Sequence, residues 1–241
     1  MKPKPVDQPR SYAGYRFPPE VISYAVWLYY RFPLSLRMVE ELLAARAIEV
    51  TYETVRRWAV KFGLQAARRI RFSAVAWGDK WHLDEVVITM NGRHHWLWRA
   101  VDQTGSVLDI LVQSRRNRQA AQRLMRKLLR KHARSPRVMI TDKLKSYAAA
   151  NEDMRLGFEH RQHKGLNNRA ENSHQPTRVR EKVMRRFKSP CQLQRFLSVH
   201  DQVANQFMHC RYNRDAKAKR ELRKQAFEAW NVVTCATMMA T

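Results

Sequence analysis

The run Trp81-His82-Leu83-Asp84-Glu85-Val86-Val87-Ile88-Thr89-Met90 stops at Asn91-Gly92, and apolar and aromatic sequence resumes from His95 to Val101. β-Branched and apolar residues at that density, broken by Asn-Gly, predict the two strands of a hairpin. Asn and Gly tolerate the left-handed turn that matches strand twist. Asp102-Gln103-Thr104-Gly105 reads as a second turn with Asp102 as its turn former, and Val107 to Val112 as a third strand. From Asn117 to His132 the period changes, with Ala121, Leu124, Met125, Leu128 and Leu129 at helical spacing. Val138-Met139-Ile140-Thr141 is a short apolar strand that runs into Asp142. A short helix near Ser146–Asn151 and an edge strand at Phe158–Gln162 are expected after it. A helix between strands favours a parallel crossover, so the expected class is α/β, a mixed sheet flanked by helices.

The chain before this sheet has a different pattern. Residues 1–16 are polar and contain prolines, as a basic, flexible tail would. Pro18-Pro19-Glu20 suits a helix start, and Ile22, Ala25, Val26 and Tyr29 give it one apolar face up to Arg31, with Pro33 as the stop. Ser35 can cap a second helix with Leu36, Val39, Leu42 and Leu43 inward. Thr51 can cap a third with Val55, Trp58, Ala59 and Phe62 on one stripe, ending at Gly63. Two short helices joined by Ala47-Ile48-Glu49-Val50 have helix-turn-helix spacing, although a plain packing bundle has the same pattern. In the first reading Tyr52, Thr54, Arg56, Arg57 and Lys61 point outward, where they can reach bases and phosphates. The expected division is a tail over 1–16, a small all-α helix-turn-helix domain over 17–66 and a linker over 67–78. A sheet-bearing core over 79–190 and a C-terminal helical region over 191–241 complete it.

Charge narrows the partner. Lys and Arg number 46 against 21 Asp and Glu, a formal charge of +25. Such an excess repels itself in a compact fold and is offset by a polyanion, nucleic acid first among them. No stretch approaches the ~18 consecutive apolar residues of a spanning helix. Cys191, Cys210 and Cys235 are widely spaced and form no CxxC pair, as expected of free thiols in a reducing compartment. The expected location is the cytoplasm.

Against that background three acids stand out. Asp84 lies inside an apolar strand, where an unpaired carboxylate is costly to bury. Asp142 sits at the carboxyl end of a strand, where open α/β sheets collect ligands. Glu171 belongs to Asn167–Arg178, a basic stretch that on its own reads better as a solvated charged face. If helical, it sets Glu171, His174 and Arg178 at i, i+3 and i+7. Three oxygen donors so placed suit Mg²⁺, with Mn²⁺ possible, and two such ions ~3.5–4 Å apart serve in-line phosphoryl displacement. Arg178 and His174 would then meet the DNA phosphates. Asp109 is a weaker candidate for the same metal, and Glu85 is expected on the opposite strand face.

Six segments together carry a family resemblance. They are His82–Glu85, Trp96–Asp102, Ser114-Arg115-Arg116-Asn117, Ile140-Thr141-Asp142-Lys143, Glu159-His160-Arg161-Gln162 and Asn167–His174. In this order they resemble the DDE transposases of the insertion-sequence-six family. The resemblance implies a ribonuclease-H-like core behind a helix-turn-helix, with Asp84, Asp142 and Glu171 as catalytic triad and Arg178 as the basic residue that follows. It also implies Mg²⁺-dependent nicking and strand transfer at terminal inverted repeats, usually replicative and cointegrate-forming. The partners implied are double-stranded DNA, both element ends and target, and a homodimer or larger assembly on it. One departure is visible: 28 residues separate Asp142 from Glu171, a shorter stretch than the family usually has. A DNA-binding regulator without chemistry and a nuclease without strand transfer are the competing expectations.

Overall fold

The computed structural model describes residues 12–73, 78–142, 144–208 and 215–236. Most of the expected tail, residues 74–77 of the expected linker, Lys143 and Cys210 lie outside them. The chain divides into two compact units: one from the segments up to Phe72 and from Gln206 onward, the other from Ser73–Asn205.

The first unit contains α1 (Pro19–Arg31), α2 (Leu36–Ala44), α3 (Tyr52–Ser73) and α9 (Ala216–Thr234). Ser35 Oγ accepts from the Met38 amide at 3.1 Å and Thr51 Oγ1 from the Thr54 amide at 3.3 Å, so both expected caps form. Val39 and Leu43 are buried, but Leu42 is 43% exposed and does not face inward. α3 does not end at Gly63. The glycine lies on the buried side of the helix, and Phe62, Ala66, Ala67 and Ile70 extend the stripe past it. Burial of that face outweighs the modest helix penalty of one glycine, about 1 kcal/mol. The start of the expected linker is therefore helical. α9 closes the unit through Phe227, whose ring lies 4.9 Å from that of Trp27 and 5.2 Å from that of Phe207. The segment after residue 191 is thus shared: α9 sits with the first three helices, and α8 (Pro190–Gln206) belongs with the sheet.

The second unit is a five-stranded mixed sheet flanked by helices, in the order β3-β2-β1-β4-β5. The strands are β1 (Lys80–Met90), β2 (Arg93–Asp102), β3 (Val107–Gln113), β4 (Val138–Thr141) and β5 (Glu159–Gln162). β1, β2 and β3 form an antiparallel meander, and Asn91 and Gly92 turn the first hairpin at φ 50° and 75°. α4 (Arg118–His132) carries the chain back so that β4 pairs parallel to β1, and β5 parallel to β4 after α5 (Lys145–Met154). Asn117 Oδ1 caps α4 through the Ala120 amide, and Ala121, Leu124 and Leu128 pack with Leu83, Trp98, Leu108 and Tyr147 on one sheet face. Asp102 is the turn former expected: its Oδ1 accepts from the amides of Thr104 and Ser106.

The other face is covered by α6 (Asn168–Ser173), α7 (Gln175–Val183) and α8 (Pro190–Gln206). The stretch expected as one helix breaks at His174, because Pro176 has no amide to continue the ladder. Arg99, buried on β2, donates to the Ser173 carbonyl and to Thr177 Oγ1 at 2.8 Å, and pairs with Asp201 of α8 at 3.2 Å. That buried cation ties α6, α7 and α8 to the sheet.

Candidate active site

β1 and β4 run side by side with Leu83 opposite Thr141. The next residue along each chain is Asp84 and Asp142, so parallel register alone brings these two carboxylates to one level of the sheet. Asp84 is mostly buried, and its pKa is pushed up to about 6, first by burial and then by the charge of Asp142. Asp142 Oδ1 accepts from the Leu144 amide at 3.0 Å, which fixes one of its oxygens at the start of α5.

A second layer lies beside the pair. Arg116, in the loop before α4, reaches Glu85 Oε1 at 2.6 Å and Asp142 Oδ2 at 3.9 Å, with its guanidinium 4.9 Å over the Trp96 ring. Glu85 does point to the opposite face from Asp84, towards the α4–α5 side, where the Tyr147 hydroxyl donates to it at 2.8 Å. Neither Arg116 nor Tyr147 has a role that the sequence alone assigns. Arg116 belongs to one of the six motif segments, but nothing in spacing says that a loop arginine turns towards β1.

The helix side differs from expectation. His174 is not at the surface: it is buried, and its Nε2 lies 3.3 Å from Asp84 Oδ2 without hydrogen-bond alignment. Burial, then the nearby Arg99 charge, holds its pKa well below the usual imidazole range, so the ring is neutral. In this arrangement the ring therefore lies beside Asp84 and not at the surface expected to meet phosphates. Glu171 and Arg178 share the exposed side of the α6–α7 segment, and His174 turns in with Ala170 and Thr177. Among the described residues no three His, Cys, Asp or Glu side chains converge closely enough to hold a metal. The structure brings Asp84 and Asp142 together, and Glu171 stands outside that pair, one turn before His174. Asn167 does not cap α6 with its side chain; its buried amide donates to the Leu83 carbonyl at 2.9 Å and pins the helix start to β1. Arg178 Nη2 donates to the Val87 carbonyl at 2.8 Å, beyond the point where β4 stops pairing with β1.

The donors of the pair suit a hard divalent cation. Both are carboxylates, one is buried beside the other's charge, and a single arginine at 3.9 Å is a weak counterweight. Asp109, the weaker candidate, is excluded from that centre. It is bound by Lys127 at 3.0 Å and Lys131 at 3.2 Å, and although burial opposes them these cations lower its pKa.

On α3 the expected outward residues are largely outward. Tyr52, Arg56, Arg57 and Lys61 are exposed and Thr54 is half-buried. Glu53 already engages Arg56 at 2.6 Å and Arg57 at 3.5 Å, and Thr54 shares a hydroxyl contact with Thr51.

Comparison with known proteins places the chain among transposases. The family model for the DDE domain of IS240-type transposases matches residues 78–210. The transposase for insertion sequence element IS257 in transposon Tn4003 of Staphylococcus aureus is 30% identical over 174 residues, 69% of this chain and 76% of the relative. The transposase for insertion sequence-like element IS431mec of Staphylococcus aureus strain Mu50 matches over the same span at the same identity. A chain from a simian T-cell lymphotropic virus intasome overlaps 55% of this chain and 58% of its own length at 16% identity and a TM-score of 0.31, too loosely to bear on the argument.

Proposed function

The chain belongs to the DDE transposases of the insertion-sequence-six family, and from that premise we propose that it cuts and joins DNA at the terminal inverted repeats of its element with Asp84, Asp142 and Glu171. The observation that carries the reading is the pairing of Asp84 with Asp142, adjacent on parallel strands and coupled in charge. Asp84, Asp142 and Glu171 would hold magnesium or manganese, which would supply positive charge to activate a water or 3′-hydroxyl and steady the leaving oxygen. The protein's own groups do the positioning. The Leu144 amide and Arg116 orient Asp142, and neutral His174 packs beside Asp84 without adding charge. Asn167 and Arg99 hold the helix that carries Glu171. Arg178 lies where a phosphate can replace its present contact with Val87. Tyr52, Thr54, Arg56, Arg57 and Lys61 of α3 form the face that meets the element end. A replicative, cointegrate-forming route and an assembly of two or more protomers on DNA complete the reading.

The test uses purified protein, Mg²⁺ and a duplex bearing the inverted repeats that flank the gene. Asp84→Asn, Asp142→Asn and Glu171→Gln should each reduce nicking and joining by more than about a hundredfold, since even outer partners of metal ligands cost 10–100-fold. DNA affinity should be unchanged. Wild-type activity in Glu171→Gln would remove the third ligand from this reading. No metal-dependent cleavage in the parent protein would favour a regulator that binds without chemistry.

A further inference from the structure

The C-terminal end of α7 holds a cationic pocket that the catalytic residues do not use. It is a cavity of about 580 Å³ lined by Arg178, Val179, Glu181, Lys182, Arg185 and Arg186. Glu181 is its one acid, and that carboxylate is engaged by Arg178 at 3.1 Å. Lys182, Arg185 and Arg186 are exposed, and among the described residues their side chains have no ion-pair or hydrogen-bond partner.

The backbone there is costly. The Arg186 amide bonds the Glu181 carbonyl at 2.8 Å and the Arg185 amide bonds the Lys182 carbonyl at 3.1 Å. This is the helix ending in which glycine ordinarily takes the left-handed residue. Arg185 and Arg186 occupy that region at φ 51° and 70°. α4, α5 and α9 also end on a non-glycine residue of this kind, but one each; among the described residues two in succession occur only after α7. Left-handed backbone disfavours any side chain, so two arginines in a row need a compensating use for their guanidinium groups.

Position supplies that use. Arg178 forms one wall of the pocket and is bonded to Val87, three residues along β1 from Asp84. At ~3.3 Å per residue that is about 10 Å, a few phosphates along one DNA strand. We infer that this pocket binds backbone phosphates of the DNA strand flanking the one presented to Asp84, through Lys182, Arg185 and Arg186. The inference rests on reading Arg178 as a phosphate contact but not on the metal ligands.

Binding is therefore measured without chemistry, in the Asp84→Asn background with Ca²⁺, as anisotropy of a short fluorescent duplex across a salt series. The combined Lys182→Gln, Arg185→Gln and Arg186→Gln variant should lower the slope of log affinity against log salt by about 2–3, at about 0.9 for each phosphate that is no longer neutralised. Arg123→Gln, Arg126→Gln and Arg130→Gln together remove equal charge from α4 and should change the slope less. An unchanged slope in the α7 variant, or an equal loss in the α4 variant, overturns the proposal. Arg186→Gly relieves the backbone, so it should melt at a higher temperature while binding DNA more weakly. Unchanged affinity in that variant also overturns it. Because no step depends on cleavage, failure of the triad leaves this result readable.

Discussion

A carboxylate whose side chain has no exposed surface sits one residue from Asp84. Burial pushes Glu85 up to about 7 in spite of its bonds from Arg116 and Tyr147, with the charge of Asp142 adding to the rise. Unfolded, the same carboxyl titrates near ~4.3, so the folded protein holds the extra proton between there and about 7. Stability from this group is complete below the unfolded value and is lost as pH rises through the folded one. Glu85→Gln cannot titrate. Its stability relative to the parent should therefore grow on going from pH 4.5 to pH 7.5, by on the order of 3 kcal/mol, as read from paired urea unfolding curves. Asp84 shifts in the same sense but is common to both proteins and cancels. A difference that does not change with pH would show that Glu85 is ionised throughout. Asp84 and Asp142 were legible in the sequence because an acid in or just after an apolar run is conspicuous. Glu85 was legible only as a side chain on the far face, since its partners come from a loop and a helix remote in sequence.

α6 and α7 depend on Arg99 for their place on the sheet. Asp201→Asn removes the charge that balances this buried guanidinium, and breaking a buried pair in this way costs about 3–5 kcal/mol. Urea unfolding should show that loss, and amide hydrogen exchange should quicken selectively over Ala170–Thr177. Replacing both members, Arg99→Met with Asp201→Leu, should be milder, because no buried charge is left unpaired. Equal losses in the single and double variants would mean that packing, not charge balance, positions these helices. At this scale the sequence was informative where period was clean. The three-strand meander, the α4 crossover, β4, β5 and the caps at Ser35 and Thr51 all form. It was not informative where a local breaker met tertiary burial. Gly63 was expected to stop a helix that its buried face carries on to Ser73, and Pro176 interrupts a helix expected to be continuous. That interruption turns His174 inward, away from the face it was expected to share with Glu171 and Arg178.

The helical unit draws on both ends of the described chain, and the sheet unit on the segment between them. Charge balance points to a polyanionic partner, but no local pattern foretold that α9 would complete the first three helices; only long-range apolar contact carries that information. Removing residues 1–72 alone should leave Phe207, Phe227 and Trp230 without their cover, so the product should bind a hydrophobic dye and self-associate on size exclusion. Removing both segments, to leave Ser73–Asn205, should give a monodisperse protein with the circular dichroism of a mixed sheet. A soluble, dye-silent product of the first deletion would mean that α9 is covered some other way.

The same split segment has a consequence for synthesis. α1, α2 and α3 leave the ribosome well before α9, and all of Ser73–Asn205 is made in between. At 5–20 residues per second that interval is on the order of ten seconds. During it the nascent helices expose the apolar side chains that α9 will later cover, while the sheet unit can already close. Synthesis therefore completes the sequence of the sheet unit before that of the helical unit.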